Sequence, residues 1–395
     1  MRNGQKKEPI EASELQGFKY FKMLSKLLKR LEAVGTTRDK ANSRKIFCDD
    51  YVSLLLLYFF SPVFTSMRAL QQASELEKVQ KLLGVKRVSL GSFSEAGSVF
   101  DPSIAGEIMR ELALKAMPLV TNADAKVLKG LTAVDGSYFN SIAHTAWALW
   151  STEQPAAKLH LHFSVFEAAP RQAIVTPGKC SEPDVLRNSL EAGRLYVTDR
   201  GYQDYGLFRA IIDAKSSFIS RVKENIAFKL QEERVLSQAD LDAGVVRDFT
   251  VSRIGTAHHK DEVKQSLRIV IVRITDDAGK ATELWLLSDR MDLTAEQIAM
   301  GYRYRWTIEL FFRWFKHILG SRHLISTKQN GITIQLYAGL IASLLIVLWT
   351  DVKVNKRTWE MLQFYLIGWA SLDELETHIA KQKAKQALTE SKKTN

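Results

Sequence analysis

The chain has 395 residues, 46% hydrophobic and 25% charged, and its 55 Lys and Arg against 44 Asp and Glu leave a formal charge of +11. That length allows two or three domains with a large core, and the positive balance points to a polyanionic partner, nucleic acid or an anionic membrane. Cys48 and Cys180 form neither a CxxC nor a zinc spacing, which excludes those metal and redox classes and fits free thiols in a reducing cytosol.

The start, MRNGQKKEPIEASELQ, is polar and has no apolar stretch of the secretory type. Phe18–Leu31 alternates cations with Phe21, Leu24, Leu27, Leu28 and Leu31 at helical spacing. Its Lys19, Lys22, Lys26, Lys29 and Arg30 suit either a DNA contact or a solvated face. A polar loop over Gly35–Arg44 leads to an apolar helix at Tyr51–Phe60, broken at Ser61-Pro62. Ser66–Ser74 and Leu76–Leu83 are short amphipathic pieces joined to Val85–Ser94. Lys86 and Arg87 beside that turn leave open a helix-turn-helix DNA reader or an ordinary helical bundle.

From Ala125 strand patterns take over. Lys126–Phe139 reads as a strand ending at Asp135-Gly136, Leu159–Phe166 as a second, and Ala173–Thr176 as a third, stopped by Pro177-Gly178. Glu182–Leu190 reads as a helix. Leu195–Asp199 is a fourth strand, broken by Arg200-Gly201-Tyr202. Asp204–Ala214 then reads as a helix, Phe218–Val222 as a fifth strand, and 224–288 as mostly strand. This alternation predicts a mixed α/β layer. Thr294 with Gln297 predicts a capping box. Leu336–Trp349 is apolar but shorter than the ~18–20 residues of a membrane span, so it reads as a buried core helix. The polar end, KQKAKQALTESKKTN, reads as frayed.

The most informative residues are Tyr302, Arg305, Glu309 and Lys316, spaced Y-x2-R-x3-E-x6-K. At ~100° per residue they fall within about 60° of one α-helix. Ile308, Phe311, Trp314 and Phe315 take the opposite, core face. Alone, Arg305 and Glu309 would be an i,i+4 pair worth ~0.2–0.5 kcal/mol on a solvated surface. Asp135 and Asp199, each at a strand end, change that reading. Three carboxylates converge if the two strands are neighbours and the helix packs on their sheet. Hard divalent cations such as Mg²⁺ take oxygen ligands, and a pair of them clamps the attacking and leaving oxygens of a phosphoryl displacement. His160 and His162 share a strand face without a carboxylate pair beside them, and His258-His259 reads as a solvated loop.

With those residues in place, the chain resembles DDE transposases of the insertion sequence 4 family. Their hallmark signature is complete at Tyr302, Arg305, Glu309 and Lys316, and DGSYF and YVTDRGYQDY resemble the two aspartate blocks in the right order. The likeness runs from about Leu131 to about Leu345. It implies a ribonuclease-H-like mixed sheet flanked by helices, interrupted by a β-rich insertion. It implies Mg²⁺ or Mn²⁺, two ions, held by Asp135, Asp199 and Glu309. Tyr302, Arg305 and Lys316 would contact phosphates of the element's terminal DNA, with Arg200 and Tyr202 as neighbouring backbone contacts. A homodimer would join paired ends to target DNA in the cytoplasm of a prokaryote, without a membrane partner. Family members that pass through a hairpin DNA end use an aromatic residue of the insertion. Here its only Trp is Trp285, in a core-strand pattern, with Phe228 and Phe249 as alternatives.

The expected organisation is a helical DNA-end-binding part over 1–124, and a first core portion over 125–223. The insertion follows over 224–288, the catalytic and buried helices over 289–350, and a helical C-terminal region over 351–395. The rival readings are a domesticated DNA binder, a Mg²⁺ nuclease of the same fold, and a basic membrane-associated protein.

Overall fold

The computed structural model describes residues 46–61, 63–119, 122–140, 156–255, 263, 265–275, 279–320 and 324–394. Phe18–Leu31, the Gly35–Arg44 loop and His258-His259 lie outside the described residues. The chain divides into two compact units, Met1–Ala116 with Ser141–Trp147 and Trp314–Asn395, and Met117–Asn140 with Ala148–Arg313.

The described residues of the first unit are helical. Gln329–Thr350 runs through it, buried from Gly331 to Val347 except at the half-buried Tyr337, and the helices Cys48–Phe60, Leu90–Val99 and Ser103–Leu114 pack round it. A helix apolar on every side belongs in a core, and each Leu or Ile buried there contributes ~1.5–3 kcal/mol. This is the placement expected for Leu336–Trp349. Gly339 is small because the Phe315 ring approaches it: an added Cβ would meet Cε2 at 3.0 Å. Asp50 caps the Cys48–Phe60 helix, its Oδ2 accepting the Phe47 N–H at 3.1 Å. The two amphipathic pieces become helices Met67–Ala73 and Glu77–Leu83, and Ser89 then caps Leu90–Val99. The polar C-terminal stretch does not fray at Lys381 but continues the helix Leu372–Thr394, as its Ala, Lys, Gln and Glu favour.

The second unit is built on one nine-stranded sheet. Its strands are β1 (Leu131–Asn140), β2 (Ala156–Ser164), β3 (Ala169–Pro177), β4 (Leu195–Thr198), β5 (Ser217–Val222), β6 (Phe228–Glu233), β7 (Val245–Ile254), β8 (Leu267–Thr275) and β9 (Ala281–Ser288). Their order is β3-β2-β1-β4-β5-β9-β8-β7-β6. β1, β4 and β5 run parallel; every other pairing is antiparallel. The strand-rich stretch after Glu224 therefore extends the same sheet, through β9 on β5. One helix, Gln238–Asp242, interrupts it behind a Ser237 capping box. β1 starts later than the sequence suggests. Asn122 Oδ1 accepts the Ala125 N–H at 3.1 Å, which turns Ala123–Val127 into a short helix.

The crossover from β4 to β5 is the helix Tyr205–Asp213, capped by Asp204. It buries Leu207, Phe208 and Ile211, and the Phe208 ring stacks on Phe218 of β5 at 4.6 Å. Ala295–Arg303 lies against β5, with the capping box that Thr294 and Gln297 predict. Gly301 permits the approach, since a Cβ there would lie 2.6 Å from Ile219 Cδ1. That contact sets the depth of Tyr302, the next residue.

Candidate active site

The register of β1 on β4 brings the two aspartates together. Leu131, Thr132 and Ala133 pair with Leu195, Tyr196 and Val197. Asp135 and Asp199 are each two residues further on, so they stand level on neighbouring strands and point to the same face. Each carboxylate is steadied by the backbone that follows it. Asp135 Oδ1 accepts the Gly136 N–H at 2.8 Å, and Asp199 Oδ1 accepts the Gly201 N–H at 2.8 Å. The second bond closes a 3-10 turn over Arg200–Tyr202.

The Tyr302–Lys316 segment is not the single helix that its spacing predicts. One helix ends at Arg303 and the next, Trp306–Gly320, begins after a turn at Tyr304-Arg305. Backbone bonds from Arg305 to Tyr302, Thr307 to Tyr304 and Ile308 to Arg305 span three residues rather than four. The Thr307 hydroxyl also donates to the Tyr304 carbonyl at 2.8 Å. A threonine hydroxyl competing for a carbonyl in this way tightens and bends a helix. Three of the four side chains still meet. Arg305 Nη2 holds Glu309 Oε1 at 2.5 Å, and its guanidinium lies 5.7 Å from the centre of the Tyr302 ring. Ile308, Phe311, Trp314 and Phe315 are buried, as the apolar face requires. Lys316, two turns beyond Glu309, is exposed, and so is Arg200.

Tyr202 is placed differently from the backbone-contacting neighbour expected of it. Only 1% of it is exposed, and its hydroxyl has no hydrogen-bond partner among the described residues. Burial raises its pKa well above the usual phenol range, and the charges of Glu182, Asp135 and Asp199 raise it further. His160 and His162 are core residues: Nε2 of the first meets Thr176 Oγ1 at 2.9 Å, and Nε2 of the second meets Ser189 Oγ at 3.2 Å. Trp285 packs against Phe228 and Phe249, as a core strand residue does.

Two residues of this site were not found by sequence reasoning. Glu182 opens the helix Glu182–Arg187, and Lys158 on β2 holds its Oε1 at 2.6 Å. Ser181-Glu182-Pro183 marks a helix start, but nothing in that signal says which way the glutamate turns.

The electrostatics favour a cation. Asp135 is pushed up to about 7, by burial first and then by the charges of Asp199 and Glu182, against the Gly136 N–H and Arg305. Like charges crowded at a buried carboxyl are what a bound divalent ion relieves, and carboxylate oxygens are the donors that Mg²⁺ and Mn²⁺ take. The donor chemistry therefore fits such an ion. Among the described residues no three His, Cys, Asp or Glu side chains already close round one point, with Glu309 engaged by Arg305 and Glu182 by Lys158.

Comparison with known proteins gives a consistent picture. The family model described as "Transposase DDE domain" matches residues 127–345. A putative transposase of Sinorhizobium fredii is 29% identical over 219 residues, 55% of this chain and 60% of that protein. A probable insertion-sequence transposase of Geobacillus stearothermophilus is also 29% identical over 219 residues, 55% of each chain. The chain thus spans less than two thirds of the length of these relatives. A piggyBac transposase synaptic complex with hairpin DNA is 12% identical with a TM-score of 0.38, covering 93% of this chain and 84% of that one, a likeness too low to bear on the fold.

Proposed function

Since the chain belongs to the transposase DDE domain family, with 127–345 matched, we propose that it cuts the ends of an insertion sequence and joins them to target DNA. The observation that carries this reading is the level placement of Asp135 and Asp199 on parallel strands, with Arg305, the partner of Glu309, near enough for its charge to act on Asp135. The order β3-β2-β1-β4-β5, with β1, β4 and β5 parallel, supports a ribonuclease-H-like core. The spacing of Tyr302, Arg305, Glu309 and Lys316 supports assignment to the insertion sequence 4 group.

Asp135, Asp199 and Glu309 would hold Mg²⁺ or Mn²⁺. Such an ion supplies positive charge that polarises the scissile phosphate and the attacking oxygen. β1 and the end of β4 carry Asp135 and Asp199, and a helix with a buried apolar face carries Glu309, which Arg305 holds in the absence of a cation. Arg305 offers a planar fork to phosphate, and its Nε has no partner among the described residues. Lys316 and Arg200 add exposed charge along the DNA backbone. In the first step water attacks the phosphorus at the element's end, and the P–O3′ bond breaks to leave a 3′-OH. That hydroxyl then attacks a target phosphorus, forms a new P–O3′ bond and expels the target strand's 3′ oxygen. Both ends must be held together for joining, so two copies of the chain would act as a dimer on DNA.

The test is cleavage and joining of a labelled duplex carrying the inverted repeat that flanks the gene, with Mg²⁺ and with EDTA. Metal-dependent 3′-OH ends and joined products are expected. Cuts without joining would make the protein a nuclease, and binding without chemistry a DNA binder.

A further inference from the structure

The Glu182 carboxylate lies beside the glycines that follow the two aspartates. An added Cβ on Gly136 would collide with its Oε1, and one on Gly201 would stand 3.6 Å from its Oε2. One carboxylate thus extends from the residue after Asp135 to the second residue after Asp199. Glycine at 136 is what lets it in; at 201 a Cβ would crowd Asp199 Oδ1, at 3.0 Å, rather than Glu182.

Its counter-ion comes from within the fold. Lys158 Nζ holds Oε1 at 2.6 Å with its own side chain 7% exposed and that of Glu182 21% exposed. The ammonium also lies 4.9 Å from the centre of the Tyr138 ring. A half-buried glutamate needs such a partner when no other cation is present.

A second observation points to a ligand here. The Tyr202 hydroxyl is buried and unpartnered among the described residues, and the charges it feels are those of Glu182, Asp135 and Asp199, in that order after burial itself. A buried hydroxyl without a hydrogen bond is unfavourable, and such gaps in a fold mark catalytic groups or missing ions and waters.

We propose that Glu182 is a fourth carboxylate ligand of the catalytic cation, held on Lys158 until the cation displaces the ammonium, with the Tyr202 hydroxyl closing the oxygen-lined pocket. The inference rests on the metal-dependent reading given above. It assigns Lys158 the role of a positioning residue that competes with the ion.

The test is binding of Mn²⁺ alone to the full chain without DNA, read by the loss of the free-ion paramagnetic resonance signal. Glu182→Gln weakens binding about tenfold, the scale of a disturbed ligand shell. Lys158→Met tightens it, because the competitor is gone; a merely structural lysine would not give that sign. The double variant Glu182→Gln, Lys158→Met keeps the loss of affinity without stranding a buried ammonium, so it serves if the single variant fails to fold. Asp199→Asn is the control for the site as a whole. If the double variant binds like the wild type while Asp199→Asn does not, Glu182 is no ligand and the inference falls alone. If Lys158→Met binds no tighter, the displacement of the ammonium is wrong. If the wild type binds no Mn²⁺, or Asp199→Asn binds as well as the wild type, the metal reading of the site falls too.

Discussion

The Arg305 guanidinium holds the Glu309 carboxylate at 2.5 Å, and its charge also acts on Asp135. One side chain therefore acts on two of the three expected metal ligands. In the absence of DNA, Arg305 and a divalent ion compete for Glu309. Arg305→Gln is expected to tighten Mn²⁺ binding up to about fivefold, the equivalent of the ~0.2–1 kcal/mol of a partly exposed pair. The same change should weaken binding to end DNA and lower its salt slope by about one. Glu309→Gln should abolish cleavage and leave end binding intact. Metal titration and binding at several salt concentrations check both; weaker metal binding in Arg305→Gln would end the competition argument.

The pH dependence of stability follows from two buried histidines and the half-buried Asp135. His160 and His162 are pushed down from 6.5 to about 4, by burial first. Asp135 is pushed up from 3.8 to about 7. Depressed histidines stabilise the fold above about pH 6.5 and lose that contribution as pH falls towards 4. A raised carboxyl acts oppositely: its contribution is present below about 4 and is lost as pH rises through 7. Within this window the unfolded chain gains two histidine protons and the folded chain holds one on Asp135. The net of one proton makes stability rise with pH by about 1.4 kcal/mol per unit from these groups. Asp135→Asn removes the opposing proton, so the slope should roughly double. Urea midpoints in EDTA across that range measure it, and an unchanged slope would refute the Asp135 assignment.

How much of this was legible in the sequence depends on the range of the interaction. The strands holding Asp135 and Asp199, the Thr294 cap and the buried Leu336–Trp349 helix all follow from local patterns of period two or 3.6. Adjacency of the two aspartates does not, because a strand's neighbour is chosen by topology. The break at Tyr304-Arg305 was hidden because a threonine hydroxyl, not a Gly or Pro, causes it. Glu182 was missed for a related reason: it opens a helix while its partner Lys158 lies on β2, and no spacing rule connects them. The family resemblance implies a DNA-backbone contact for Tyr202 beside Arg200, yet Tyr202 ends the 3-10 turn that Asp199 caps and is buried.

A buried ion pair governs the outer half of the sheet. Arg268 on β8 is 1% exposed and meets Asp248 of β7 twice, Nε to Oδ1 at 2.8 Å and Nη2 to Oδ2 at 2.6 Å. Its Nη1 also donates to the Leu293 carbonyl, just before the helix that carries Tyr302. Arg268→Met strands the Asp248 carboxylate, leaving only the more exposed Arg234 at 3.6 Å. A loss of ~3–5 kcal/mol is expected, read by chemical denaturation. Arg268→Met with Asp248→Leu removes both charges and should recover much of it. Failure of the double change to recover any would mean that the Leu293 contact, rather than the ion pair, dominates.

Lys316 and Arg200 are exposed cations on different elements, one on the helix after Glu309 and one in the turn after Asp199. Their removal separates DNA contact from metal chemistry. Lys316→Ala and Arg200→Ala should each weaken end binding and reduce the salt slope by about one unit. Phosphate contacts carry no base preference, so unrelated duplexes should lose affinity by the same factor. Mn²⁺ binding without DNA should stay at the wild-type value in both. A change confined to the element's own end sequence would instead make the residue a base reader. An unchanged salt slope would take it off the DNA path.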